Sequence, residues 1–481
     1  MNARIAASAR RHSARVAPVI ADDHPLLRTR VLLLAWSVLL GLQLWGYSGV
    51  RHDDAYITYR YGQNLASGAG LVFNPGERVL GSTSPGQMLL SAAVYALAGR
   101  EATPQVLAAM GCMAWGVQSL AVFLLLAPAL GRAGAVLVAA SVALGGTHAE
   151  NWVPLETNLV AACVLCGFAA AQRSRWYAVA LWVAAATLLR PDAWLAAPVL
   201  GGLCVREQRR KLLGPCLVFL LAALPWPLFA SAYYGSPLPQ SALTKYQRSG
   251  FLEYLTHELV HPGALLLPGM PPLLSSALAL GLSLLGAAAL FRRAPRLLAF
   301  ALYALLHALA YLWLRPFTIH TWHLYPWVLA LCVLAWSGLI SLVLDFRDRV
   351  WRAAWIASGC AALGLLAVHA AGFIGGFRTL EQSYWMGQRQ AVYQDVAGYL
   401  RQHAAPGEAF ASVEVGTIAY YTDLPAFDLG GLITRPNEQM AQHHVRFLVL
   451  DKQYLGARAP TAPVYRSQHG EFMAVVYRTE R

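Results

Sequence analysis

The 481-residue chain is 57% hydrophobic and only 13% charged, with a formal net charge of +13. A soluble globular domain carries about 25% charged residues, so this balance excludes an ordinary soluble protein. The positive excess sits in short clusters between apolar runs and not in a basic domain, which excludes a nucleic-acid partner and fits a multi-span membrane protein.

Residues 1–30 carry Arg4, Arg10, Arg11, Arg15, Arg28 and Arg30 ahead of the first apolar run at 31–47. No small-residue cleavage site ends that run, so it reads as a retained span preceded by a basic cytoplasmic segment. The polar stretch 48–84 then lies outside. The next run, 85–98, has about 14 residues and is too short for ~30 Å of hydrocarbon. Loop charge decides where it goes. If it lies along the outer interface, Arg132, Arg173 with Arg175, and the clusters at 206–211, 292–296 and 347–352 all fall inside. If it crosses, every cluster falls outside. The first choice obeys the positive-inside rule and makes 48–105 the first outer loop.

Further spans are then expected at 106–127, 133–147, 158–172, 176–189, 193–205, 213–233, 272–291, 297–314, 324–344 and 353–374, about eleven in all. Pro262, Gly263 and Pro268 interrupt the run at 255–270, which reads as an interfacial loop. Residues 31–374 thus form an α-helical polytopic membrane module. The tail, 375–481, falls outside and reads as a small extracytoplasmic α/β domain. It has helical periodicity at 388–403, β-rich runs at 447–450 and 473–477, and glycine punctuation at Gly407, Gly416, Gly430 and Gly431. The seven cysteines lie in or beside apolar runs and read as small apolar filler, Cys163 and Cys166 included despite their C-x-x-C spacing.

This topology gathers the unusual polar residues on one side. Asp53 and Asp54 lie in the first outer loop, Glu150, Asn151, Glu156 and Asn158 in the second, Arg190 and Asp192 in the third. Gln240, Lys245 and Tyr246 follow, then Arg315, His320, Trp322 and His323. A membrane enzyme with one outward site has this pattern.

The sharpest constellation is Asp53-Asp54 opening a short aromatic-rich helix at the outer end of the first span. Acids at a helix start are favoured by capping and by the dipole. Paired carboxylates at a partly desolvated boundary also have raised pKa values, which suits proton abstraction from a hydroxyl. The following glycines, Gly68, Gly70 and Gly76, read as turn formers, and Glu77 with Arg78 as an exposed pair worth little.

The string Asp53-Asp54-Ala55-Tyr56-Ile57-Thr58-Tyr59-Arg60-Tyr61, with Asn64, the Gly70-to-Glu77 loop and Thr83-Ser84-Pro85, resembles the first outer loop of a bacterial GT-C family. These are multi-span glycosyltransferases that use lipid-phosphate-linked sugars, and the resemblance is to the family of the mycobacterial terminal arabinofuranosyltransferase. Pro154-Leu155-Glu156-Thr157-Asn158-Leu159 resembles its second-loop motif, and Leu189-Arg190-Pro191-Asp192 its Arg-Pro-acid motif. Tyr233 to Gln240 with Lys245, and Gly416 to Tyr421 with Phe427 to Leu432, follow in the family's order. Two departures are Asp192, where Glu is more usual, and Gln240, where Asn is.

The resemblance implies transfer of a sugar from a polyprenyl-phosphate donor to an acceptor hydroxyl on the outer face of the bacterial plasma membrane, with inversion. It implies Asp53 as general base, with Asp54 as its partner or an acceptor contact. Lys245, Arg190, His320 and His323 are candidate donor-phosphate ligands. Glu156, Tyr56 and Arg60 contact the acceptor or support the loop. Asp53, Asp54, His320 and His323 could hold a divalent cation if they converge, though a phosphate leaving group does not oblige one. The sugar and the acceptor, whether glycan, lipid or protein, stay open, and arabinofuranose rests on the resemblance alone. Two alternatives are a lipid-linked-sugar transporter or flippase, disfavoured because the span interiors are almost free of charge and the acids sit at one boundary, and an O-antigen-type polymerase or ligase.

Overall fold

The computed structural model describes residues 25–244, 266–267, 270–316, 322–347, 352–379, 382–435, 438–455 and 462–479. The chain divides into a unit of residues 1–42 and a unit of residues 43–481. It is mostly helical, with one small sheet near the C-terminus.

The helices are α1 (Pro25–Tyr47), α2 (Asp53–Ala66), α3 (Pro85–Ala143), α4 (Thr157–Gln172), α5 (Trp176–Leu189), α6 (Ala196–Gln208), α7 (Leu213–Ala223), α8 (Pro225–Tyr234), α9 (Gln240–Thr244), α10 (Pro272–Arg293), α11 (Leu298–Leu314), α12 (Tyr325–Arg347) and α13 (Arg352–Thr379). α3 is broken at Gly99 (φ 79°) and Gly131 (φ 72°), conformations that only glycine adopts freely. The breaks set off 85–98 from the rest of the helix. Thr103 Oγ1 donates to the Gly99 carbonyl at 2.7 Å, satisfying backbone that the break exposes.

Among the described residues, seven helices are long and apolar enough to cross a membrane. The expected runs at 158–172 and 176–189 are present as α4 and α5, but these have 16 and 14 residues. At 1.5 Å per residue they reach only about 24 and 21 Å, short of ~30 Å of hydrocarbon. Most of the 255–270 segment lies outside the described residues.

α10 and α12 meet backbone to backbone. A Cβ at Gly286 would collide with the Leu334 carbonyl, and one at Gly338 with that of Leu282. Small residues permit this close contact where no hydrophobic force drives helices together.

The C-terminal segment adds α14 (Arg389–His403), β1 (Ala409–Ser412), α15 (Gly416–Thr422), β2 (Ala426–Asp428), β3 (Val445–Asp451), β4 (Pro463–His469) and β5 (Phe472–Arg478). The sheet order is β2-β1-β3-β5-β4. β1 pairs parallel with β2 and β3, while β5 pairs antiparallel with β3 and β4. The β-rich runs at 447–450 and 473–477 form the centres of β3 and β5. One apolar core fills the helical bundle around Trp115, Tyr303 and Trp336. A second joins α2 and the first loop to the sheet through Tyr61, Phe73, Tyr393, Ile418 and Val476.

Candidate active site

α2 begins at Asp53, after His52 in an extended conformation (φ −147°, ψ 130°). Both acids fall in its first turn, where the helix dipole favours carboxylates. Nearly the whole helix is buried. Ala55, Tyr56 and Tyr59 pack on Leu107, Leu155 and Trp322, while Ile57 and Tyr61 face the sheet.

Asp53 is 2% exposed. Its Oδ1 accepts the Thr417 N–H at 2.8 Å and its Oδ2 accepts the Gly416 N–H at 3.1 Å. The carboxylate therefore caps α15, satisfying two N–H groups that have no partner within the helix. A Cβ at Gly416 would collide with the Asp53 carbonyl, so this close approach requires glycine. Asp54 is half-buried.

The C-terminal segment contributes a second set of charges. Buried Arg389 pairs with Glu414, and its Nε–H donates to the Tyr393 hydroxyl at 3.3 Å. That hydroxyl donates to Asp451 Oδ2 at 2.9 Å. Burial, aided by the charges of Asp53, Asp54 and Asp451, pushes the Glu414 carboxyl well above its ordinary range against the pull of Arg389. Burial likewise pushes Asp451 up to about 6. His52 is lowered by burial, with Asp54 pulling the other way.

Arg190 follows the end of α5 in an extended conformation. Its Nη1–H donates to the Trp322 carbonyl at 2.9 Å, and its Nη2–H to Asp192 Oδ2 at 2.5 Å and the Tyr311 hydroxyl at 3.2 Å. Asp192 Oδ2 also accepts from Tyr311 at 2.8 Å and faces His307 Nε2 at 3.2 Å. Burial alone would raise the Asp192 carboxyl, but Arg190 and then His307 outweigh it and hold it well below the usual range. Glu156 Oε1 lies farther away, 3.9 Å from Arg190 Nε, and burial wins there, raising its carboxyl. The arginine is thus committed to Asp192. Beside it, a small cavity is lined by Thr157, Tyr303 and His307, whose Oγ1, OH and Nδ1 are buried without a hydrogen-bond partner.

Trp322 joins the two halves of the site. Its ring meets His52 edge-on at 5.2 Å and stacks on His323 at 5.3 Å. Trp322 thus links the turn that carries His52, Asp53 and Asp54 to Arg190 and His323, with Glu156 beside Arg190. Tyr56 sits among Tyr59, Tyr420 and Tyr421 at 5.4, 5.3 and 5.7 Å. Arg60 is 1% exposed and its Nη1–H donates to Asp423 Oδ1 at 2.7 Å; Asp423 also pairs with Arg100. Both side chains hold the first loop against α15. Lys245 and His320 lie outside the described residues. Among the described residues, no three His, Cys, Asp or Glu side chains gather as a metal-ligand group.

Sequence reading missed His307, Tyr311, Arg389, Glu414 and Asp451. For His307 the signal is present: a titratable residue inside the apolar run 297–314. Glu414 and Asp451 carry no such mark, since the contacts of Glu414 with Arg389 and of Asp451 with Tyr393 arise only in the tertiary fold.

Residues 382–478 match a family model described as a domain of unknown function, DUF8728. No curated protein matches the sequence. Solved structures match far more of the chain. ArnT from Cupriavidus metallidurans bound to undecaprenyl phosphate is 17% identical over 93% of this chain and 98% of its own, with a TM-score of 0.63. The chain has the GT-C fold. ArnT in the apo state matches this chain with a TM-score of 0.64, at 16% identity over 94% of this chain and 98% of its own. The archaeal oligosaccharyltransferase AglB from Archaeoglobus fulgidus, in complex with an inhibitory peptide and a dolichol-phosphate, matches with a TM-score of 0.58. It is 13% identical and covers 89% of this chain and 70% of its own.

Proposed function

We propose that this chain is a glycosyltransferase of the bacterial plasma membrane, moving a sugar from a polyprenyl-phosphate donor to an acceptor hydroxyl on the outer face, with inversion. The observation that carries the proposal is the Trp322 link, whose ring meets His52 beside the Asp53-Asp54 turn and whose carbonyl accepts from Arg190, within a GT-C fold. ArnT with undecaprenyl phosphate and AglB with dolichol-phosphate share that fold.

Asp53 and Asp54 are the proposed catalytic pair. Asp53 is the base that sequence reasoning favours. Its burial and two backbone N–H bonds support a refinement, in which half-buried Asp54 takes the proton and Asp53 fixes the turn. As the acceptor oxygen forms its bond to the anomeric carbon, its proton passes to the carboxylate and the phosphate leaves with the electron pair. Arg190 is already held by Asp192 and Trp322, which supports a positioning role for it. The donor phosphate then falls to His323, with Lys245 and His320 as further proposed ligands.

The test is sugar transfer by purified protein from labelled polyprenyl-phosphate arabinofuranose, mannose and glucose. Product from any of these supports the reading, and the productive donor names the sugar. A transporter would leave all three intact.

A further inference from the structure

A cavity of about 70 Å³ runs between α5, α6 and α7. Its walls include Trp176, Val183, Ala197, Leu200, Cys204 and Phe219. It follows α5 from Trp176 to Val183 and α6 from Cys204 back to Ala197, about 10 Å of helix in each case. An apolar cleft of that length suits one hydrocarbon chain. α5 carries Arg190 beyond its other end, about 10 Å past Val183 and about 20 Å past Trp176, and Arg190 does not line this cleft.

Two features at the Trp176 end call for something other than a bare tail. Trp176 is 4% exposed, and its indole Nε1–H is buried with no acceptor. The turn joining α6 to α7 presents four exposed cations, Arg206, Arg209, Arg210 and Lys211. Its one acid, Glu207, is taken up by Arg296 at 2.7 Å and accepts from Ser174 Oγ at 3.2 Å. The Ser174 bond draws the start of α5 against the basic turn, as does the seat of Gly214 on the Tyr177 hydroxyl.

We propose that this cleft binds an anionic glycerophospholipid of the leaflet that the basic turn faces. One acyl chain lies along α5 and α6, an ester or phosphate oxygen accepts the Trp176 N–H, and the headgroup charge rests on Arg209, Arg210 and Lys211. Clustered Lys and Arg beside a span attract anionic lipid, and the cleft gives that attraction a tail-binding complement.

The test is native mass spectrometry of the full chain, released from mixed micelles containing phosphatidylglycerol, phosphatidylcholine or inorganic phosphate. The wild type retains one phosphatidylglycerol, at least about tenfold more of it than phosphatidylcholine, and no free phosphate. Arg209→Gln with Arg210→Gln and Lys211→Gln lowers retention about tenfold, whereas Arg132→Gln leaves it unchanged. Gly201→Leu fills the cleft from a position whose Cβ would meet nothing closer than 4.0 Å, so it abolishes retention without lowering the melting temperature. Equal retention of both lipids, phosphate binding without lipid, or wild-type retention by Gly201→Leu would overturn the proposal.

Discussion

The Asp53 carboxylate receives the Thr417 backbone N–H at 2.8 Å across 364 residues of sequence. An acid at the start of the first-loop helix thereby holds the start of a helix in the C-terminal segment. The same contact fixes where the second acid, Asp54, can point.

Losing this cap loosens α15 more than the rest of the chain. Asp53→Ala removes two charge-assisted bonds, worth on the order of 2 kcal/mol, so amide exchange across 416–422 speeds up about 30-fold. Hydrogen exchange with peptide-level resolution reads this. Unchanged protection would mean that the cap contributes nothing.

Gly416→Ala tests the close approach from the other side. The added methyl meets the Asp53 carbonyl, and overpacking of this kind costs about 1–3 kcal/mol. Thermal unfolding in detergent falls accordingly, whereas Gly398→Ala, with open space around its Cβ, leaves it level or higher.

Asp423→Ala strands the buried Arg60 guanidinium. Removing one partner of a buried pair costs about 3–5 kcal/mol, and because the Asp423 side chain is 52% exposed about 2 kcal/mol is expected. Asp423→Asn keeps the hydrogen bond and the residue's positive φ of 64°, so it loses less.

The pH dependence follows from Asp451. Its carboxyl moves from 3.8 to about 6 on folding, so the folded state holds the proton more tightly. Stability from this group is full below the unfolded value and is lost as pH rises through the folded one. Asp451→Asn therefore removes a fall on the order of 2–3 kcal/mol between about pH 4 and 6, read as exchange protection of β3 and β5. An identical slope in the variant would refute the assignment.

Much of the bundle was legible from apolar runs and basic clusters, because lipid demands long apolar helices and charge fixes their ends. The runs at 176–189 and 272–291 coincide closely with α5 and α10. Asp53-Asp54, Arg190 and His323 were legible as polar residues crowded at span ends. The Asp53 cap, the Arg389–Glu414 pair and the His307–Asp192 contact were not. Each joins residues on different elements, the Asp53 cap and the His307–Asp192 contact across more than a hundred positions, and no local period or propensity encodes such a pairing. β1, β2 and β4 escaped for a related reason, since strands of three to seven residues get much of their stability from partners elsewhere in the sheet.

The central claim is tested most directly by the rate of labelled sugar transfer from its productive polyprenyl-phosphate donor by purified Asp54→Asn protein. The account predicts a loss of at least about a hundredfold at an unchanged melting temperature, the range a positioned base contributes. Undiminished transfer by folded Asp54→Asn and Asp53→Asn proteins would contradict it.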